Sequence, residues 1–171
     1  DIVNEVLELK RRGYTAYKLH PWGIPEKDLA ACRAVREAVG DSMILMHDPM
    51  WVYDRRSALV VGRELEKLDF YWYEAPIPHD DISGYVELTR LLDIPIAVEM
   101  WDSYSEYIRR GAIDIFRAMG DVSGGITDMR KSADLCELSH IKWEPHCYGS
   151  TLCQAAHLHV ILTTRNCDFF E

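Results

Sequence analysis

Short apolar runs alternate along the whole chain with longer stretches in which apolar positions recur every three or four residues. The short runs read as strands: Ala16–Leu19, Met43–His47, Phe70–Tyr73, Pro95–Val98, Ile113–Ala118, Ile141–Glu144 and Asp168–Phe170. The stretches between them carry helical periodicity: Glu26–Val39, Arg55–Leu68, Ile82–Leu91, Tyr104–Arg110, Ile126–His140 and Leu152–Leu162. A further amphipathic helix over Asp1–Lys10, with Ile2, Val3, Val6 and Leu7 on one side, precedes the first strand. Gly40–Asp41, Asp69 and Gly111 supply stop signals between helices and following strands.

Strict alternation of strand and helix implies parallel strands joined by crossover helices, and so an α/β fold. An open doubly wound sheet and a (β/α)8 barrel of the TIM type both satisfy it. The open sheet binds at one switch point, often through a Gly-rich first loop. Here polar residues of chemical interest stand at the C-terminal end of almost every strand, the distribution of a barrel whose βα loops share one face. The chain is therefore expected to form, over residues 1–171, an incomplete barrel of about seven strands. A full barrel takes roughly 250 residues, so a first strand is expected to lie outside this stretch.

Three carboxylates set the chemistry. Asp48, Glu74 and Glu99 each end a strand, separated by 26 and 25 residues, one βα unit apiece. Neighbouring strands lie ~4.8 Å apart, so carboxylates at equal heights would converge, and their mutual repulsion calls for a cation. Hard oxygen donors with room for water and substrate suit Mg²⁺ or Mn²⁺ better than zinc. Lys18 and His20 flank Leu19, so period-two alternation gives them one face. A Lys near a divalent cation is pushed toward the neutral amine that a general base requires.

Asp121 follows the sixth expected strand of a full barrel and His146 closes the seventh; an Asp beside a His fixes the imidazole tautomer. Glu171, at the tip of the last run, is a further candidate, able when protonated to donate to a developing oxyanion. His47, His79, His140, His157 and His159 read as structural, and Gly124–Gly125 as turn chemistry without the Lys of a P-loop.

The net charge of −9 disfavours nucleic acid or an anionic membrane as partner. Five cysteines without a CxxC pattern read as reduced thiols in a cytoplasmic protein. Neither a signal peptide nor a long apolar span is evident in the stretch.

Taken in order, Lys18–Leu19–His20, Asp48, Tyr73–Glu74–Ala75–Pro76, Glu99, Asp121 with Gly124–Gly125–Ile126–Thr127, Pro145–His146 and Phe170–Glu171 resemble the enolase superfamily, in its mandelate racemase-like branch. The resemblance implies Mg²⁺ on Asp48, Glu74 and Glu99, a dyad of Asp121 and His146, and Lys18 and His20 in place of a Lys-x-Lys pair. It places Glu171 near the substrate carboxylate. Phe116–Arg117–Ala118 lacks the Lys of the muconate-lactonizing branch. The chain departs from the pattern at His20, at Met50, where a polar group is common, and in lacking the capping domain that closes the site.

The chemistry implied is abstraction of the proton α to a carboxylate. With the second Lys replaced, the resemblance favours dehydration of a sugar acid to a 2-keto-3-deoxy acid. A racemase or epimerase, or a non-catalytic metal-binding relative, are the alternatives. Relatives are commonly homo-oligomers. Specificity is expected from the absent cap and from the loops Pro21–Pro25, Pro49–Asp54 and Trp101–Tyr104.

Overall fold

The computed structural model describes residues 2–100 and 103–171. Asp1, and the Trp101–Asp102 part of one expected specificity loop, lie outside the described residues. The chain divides into two compact units, residues 1–96 and 97–171.

In the first unit α1 (Ile2–Arg11) is followed by β1 (Ala16–Leu19), α2 (Pro25–Val39), β2 (Ile44–His47), α3 (Arg55–Lys67), β3 (Trp72–Glu74) and α4 (Ile82–Leu91). The helix boundaries follow local signals. Pro25 opens α2, where its missing N–H costs nothing. Asp54 caps α3 by accepting from Ser57 N at 2.7 Å, and Asp81 caps α4 through Gly84 N. The three strands are parallel, with Leu19 opposite His47 and His47 opposite Tyr73. That register sets His20, Asp48 and Glu74, each the next residue along, at one level.

A buried acid ties this unit's loops together. Asp28, in the first turn of α2, is fully buried. It accepts from Trp22 N (3.0 Å) in the loop after β1 and from the Tyr53 hydroxyl (2.5 Å) in the loop after β2. Burial, with Asp28 adding to it, pushes the Tyr53 phenol far up and keeps it a donor. Arg36 does similar work at the other end of α2, donating to Leu68 O and Asp69 O, both at 2.7 Å.

The second unit opens within β4 (Ile96–Glu99) and continues through α5 (Tyr104–Arg110), β5 (Ile115–Arg117), α6 (Gly125–Leu138), β6 (Lys142–Trp143) and α7 (Thr151–Ile161). Its strands are also parallel, with Glu99 opposite Arg117 and Phe116 opposite Trp143. Trp143, fully buried, donates from Nε1 to the Ser132 hydroxyl of α6 at 2.9 Å. Gly124 (φ 96°) and Gly125 (φ 71°) turn the chain into α6 through left-handed backbone that a side chain would strain.

Six of the seven expected strands are present, each within two residues of the reading at its start and one at its end. The seventh, Asp168–Phe170, forms no strand. The physical reason lies in a side chain: Glu144 takes the backbone N–H groups of Asp168 and Phe169 that a ladder would use. Two residues before this segment, Asn166 O accepts from Trp143 N at 3.0 Å.

Because Asp28 is a buried carboxylate, losing one donor should be felt. Tyr53→Phe is expected to lower stability by about 1–3 kcal/mol, read from the midpoint of urea denaturation at unchanged slope.

Candidate functional site

Lys18 stands one residue before the end of β1. Its ammonium lies 3.3 Å from Asp48 Oδ2 and 3.2 Å from Glu74 Oε2. All three side chains are buried, at 10%, 6% and 0% exposure. Two carboxylates this deep need positive charge at hand, because an unpaired buried charge costs several kcal/mol. The neighbours hold each acid in place. Trp72, two residues before Glu74 and so on its face of the strand, donates from Nε1 to Glu74 Oε2 at 3.1 Å. Asp48 Oδ1 accepts from Met50 N at 3.0 Å, closing a turn in which Met50 and Trp51 both have positive φ.

His20 follows β1, half exposed, with Nδ1 3.6 Å from Asp48 Oδ2. The shared face expected for Lys18 and His20 thus appears as a shared carboxylate. His47 is buried among the rings of Tyr53, Phe70 and Tyr73, and burial, with His20 adding to it, pushes its pKa down to about 3. It is a neutral ring of the interior.

In the second unit Glu99 ends β4, and its Oε2 lies 2.6 Å from Nδ1 of His146. The nitrogen makes no aligned hydrogen bond, so this is a close contact of polar groups rather than a directed bond. The His146 ring also stacks on Tyr148, with centroids 5.9 Å apart. Asp121 is exposed in the loop after β5, beside Gly149, where an added Cβ would stand 3.6 Å from Asp121 Oδ2. No hydrogen bond or ion pair joins Asp121 to His146 among those of the described residues. The loop itself is held from α7: the residue before Asp121, Gly120, donates its N–H to Nε2 of the buried His157 at 3.1 Å.

Glu171 meets the guanidinium of Arg117, the last residue of β5 and 1% exposed. Arg117 was read from the sequence only as the absence of a Lys. Its signal was a charge inside an otherwise apolar run, which requires a buried partner. All five cysteines are free, and burial pushes Cys32 and Cys136 up to about 12 and Cys147 up to about 11. Burial thus favours the protonated thiol at these three positions.

The donor set suits a hard divalent cation. Asp48 and Glu74 offer carboxylate oxygens to one point, and the Lys18 ammonium stands where they demand positive charge. Within neither unit do three His, Cys, Asp or Glu side chains gather as a metal site, among the described residues.

Comparison with known proteins identifies the family. The family model described as enolase C-terminal domain-like matches residues 1–171. L-talarate/galactarate dehydratase of Salmonella typhimurium is 35% identical over 138 residues, covering 78% of this chain and 33% of its own length. Arabinonate dehydratase of Saccharolobus solfataricus is 31% identical over 140 residues, covering 79% of this chain and 37% of itself. The chain thus spans about a third of these relatives. The crystal structure of D-glucarate dehydratase from Agrobacterium tumefaciens, complexed with magnesium, superposes with a TM-score of 0.90 at 39% identity, covering 99% of this chain and 46% of that one. The fold is therefore an enolase-type α/β barrel domain, represented here in part.

Lys18→Met leaves Asp48 and Glu74 facing each other without their cation. It is expected to cost about 3 kcal/mol in metal-free protein, and Lys18→Met with Glu74→Gln should recover part of that loss in the same denaturation assay.

Proposed function

The chain belongs to the enolase C-terminal domain-like family, and from that premise we propose that the protein carrying it is a Mg²⁺-dependent dehydratase of a sugar acid. In this reading it removes the proton α to the substrate carboxylate, forms an enediolate and expels the β-hydroxyl as water. Tautomerisation of the resulting enol gives a 2-keto-3-deoxy acid. The observation that carries the proposal is an amine, Lys18, held by two buried carboxylates at the ends of adjacent strands. The activities of the relatives, dehydratases of talarate or galactarate and of arabinonate, support the substrate class.

Asp48, Glu74 and Glu99 are proposed to hold the metal, whose positive charge stabilises the enediolate when it is bound. The chain's own residues then divide the proton work. Lys18, in its neutral form, accepts the α-proton at Nζ, with Asp48 and Glu74 fixing where that nitrogen stands. His20, beside Asp48, is the second nitrogen on that side. His146 has Nδ1 against Glu99, which leaves Nε2 to hand a proton to the departing hydroxyl. Asp121 is assigned to orient His146 in the substrate-bound enzyme, and Glu171 to meet the substrate near its carboxylate. In the same reading the enzyme is cytoplasmic, in keeping with five free thiols, and assembles with copies of itself. Among the described residues no helix is long and apolar enough to cross a membrane.

The test is a screen of the full-length protein with Mg²⁺ against aldonic and aldaric acids, detecting 2-keto-3-deoxy products. Turnover of one or a few acids is expected, with loss on chelation of the metal and a fall of at least about a hundredfold in His146→Asn. Exchange of solvent deuterium into an acid without any keto product would replace the dehydratase by a racemase or epimerase.

A further inference from the structure

We propose that Glu144 is a positioning residue for the reaction, setting Glu171 in place by holding the backbone of residues 168 and 169. The inference rests on the sugar-acid reading above, which gives Glu171 a part at the substrate. Glu144 follows directly on β6 and is fully buried. A carboxylate there must find donors, and every donor it has comes from one segment. Its Oε1 accepts from Asp168 N at 2.8 Å, and its Oε2 from Phe169 N at 3.0 Å and from the Cys167 thiol at 3.4 Å. Burial raises the Glu144 pKa and the two backbone bonds oppose that rise.

This arrangement matters because the segment is not a strand, so its N–H groups meet a side chain. Trp143 N donates to Asn166 O, and the Asn166 amide returns to Ile141 O at 2.8 Å; beyond that point Glu144 accepts from the two successive peptide N–H groups of residues 168 and 169. Lys142 adds a partly exposed ion pair to Asp168 at 2.7 Å, of the kind worth little. Two residues past Phe169, Glu171 reaches the buried Arg117. The Arg117 guanidinium holds its carboxylate and the grip of Glu144 holds the preceding peptides, while Cys147 meets the Glu171 backbone. An aliphatic residue at 144 would fill the space without fixing which amide faces which strand.

The test uses the full-length protein with its Mg²⁺ and the acid found in the screen, in a double-mutant cycle of Glu144→Gln and Glu171→Gln. Glutamine keeps the shape but turns an N–H₂ toward one of the two amides. Glu144→Gln is expected to lower kcat/KM on the order of tenfold to a hundredfold. If Glu144 acts through Glu171, the double variant falls no further than Glu171→Gln alone, within about twofold. A merely structural role would make the two losses multiply, and that result overturns the proposal. Hydrogen exchange gives a readout independent of activity: the amides of Asp168 and Phe169 should exchange about tenfold faster in Glu144→Gln, and unchanged exchange overturns the proposal as well. If Glu144→Gln does not fold, Glu144→Asp, which withdraws both oxygens, carries the same cycle. Full activity in Glu171→Gln would remove Glu171 from the reaction and this role with it. A wild type that turns over no acid instead refutes the dehydratase reading and with it any role in that reaction, while amide exchange still reports the hold itself.

Discussion

Charge buried at the ends of strands has to be compensated where it stands, and most of the described structure around those ends follows from that need. Asp48 and Glu74 are answered by Lys18, the buried Arg117 by the more exposed Glu171, Glu144 by two peptide N–H groups, and Asp28, in the first turn of a helix, by Tyr53 and a further N–H. Each compensation crosses from one element or loop to another. The electrostatic demand of a single acid therefore becomes a positional constraint on its partner. Apolar packing holds helices against strands, but it does not specify which loop peptide meets which side chain. The buried acids do.

The same constraint gives the site its chemical character. A lysine shared between two carboxylates is oriented by both, and its nitrogen sits among the oxygens that would face a divalent cation. In an enzyme working α to a carboxylate, the base and the electrostatic stabiliser must stand side by side around one carbon. In-register parallel strands provide that, because one residue past the pairing of Leu19 with His47 and of His47 with Tyr73 come His20, Asp48 and Glu74. His146 beside Glu99 is the corresponding pairing of an imidazole with a strand-end acid in the second unit.

Much of this was legible in the residues. The limits of β1 and α4 coincide with the expected segments, α4 because Asp81 caps its first turn. Lys18 and His20 could be placed on one face by alternation alone. The last run, Asp168–Phe170, looked like a strand by composition and is none. A tertiary acceptor, Glu144, competes for its amides, and nothing local announces that. The dyad expected of Asp121 and His146 was read from their places after successive strands. The structure sets His146 against Glu99 instead, and Asp121 belongs to an exposed loop held through His157.

The sequence by itself determined the order of strands and helices, the family, and the set of acids and bases at the strand ends. Those depend on periodicity and on residue identity at fixed spacing, which are local properties. Only the tertiary structure decided which charge answers which. Arg117 is paired with Glu171, 54 residues away, and Glu144 with peptides 24 and 25 residues on. The physical reason is that desolvation acts on every buried group at once. A partner is selected by what else is buried beside it, and that is known only when the chain has folded.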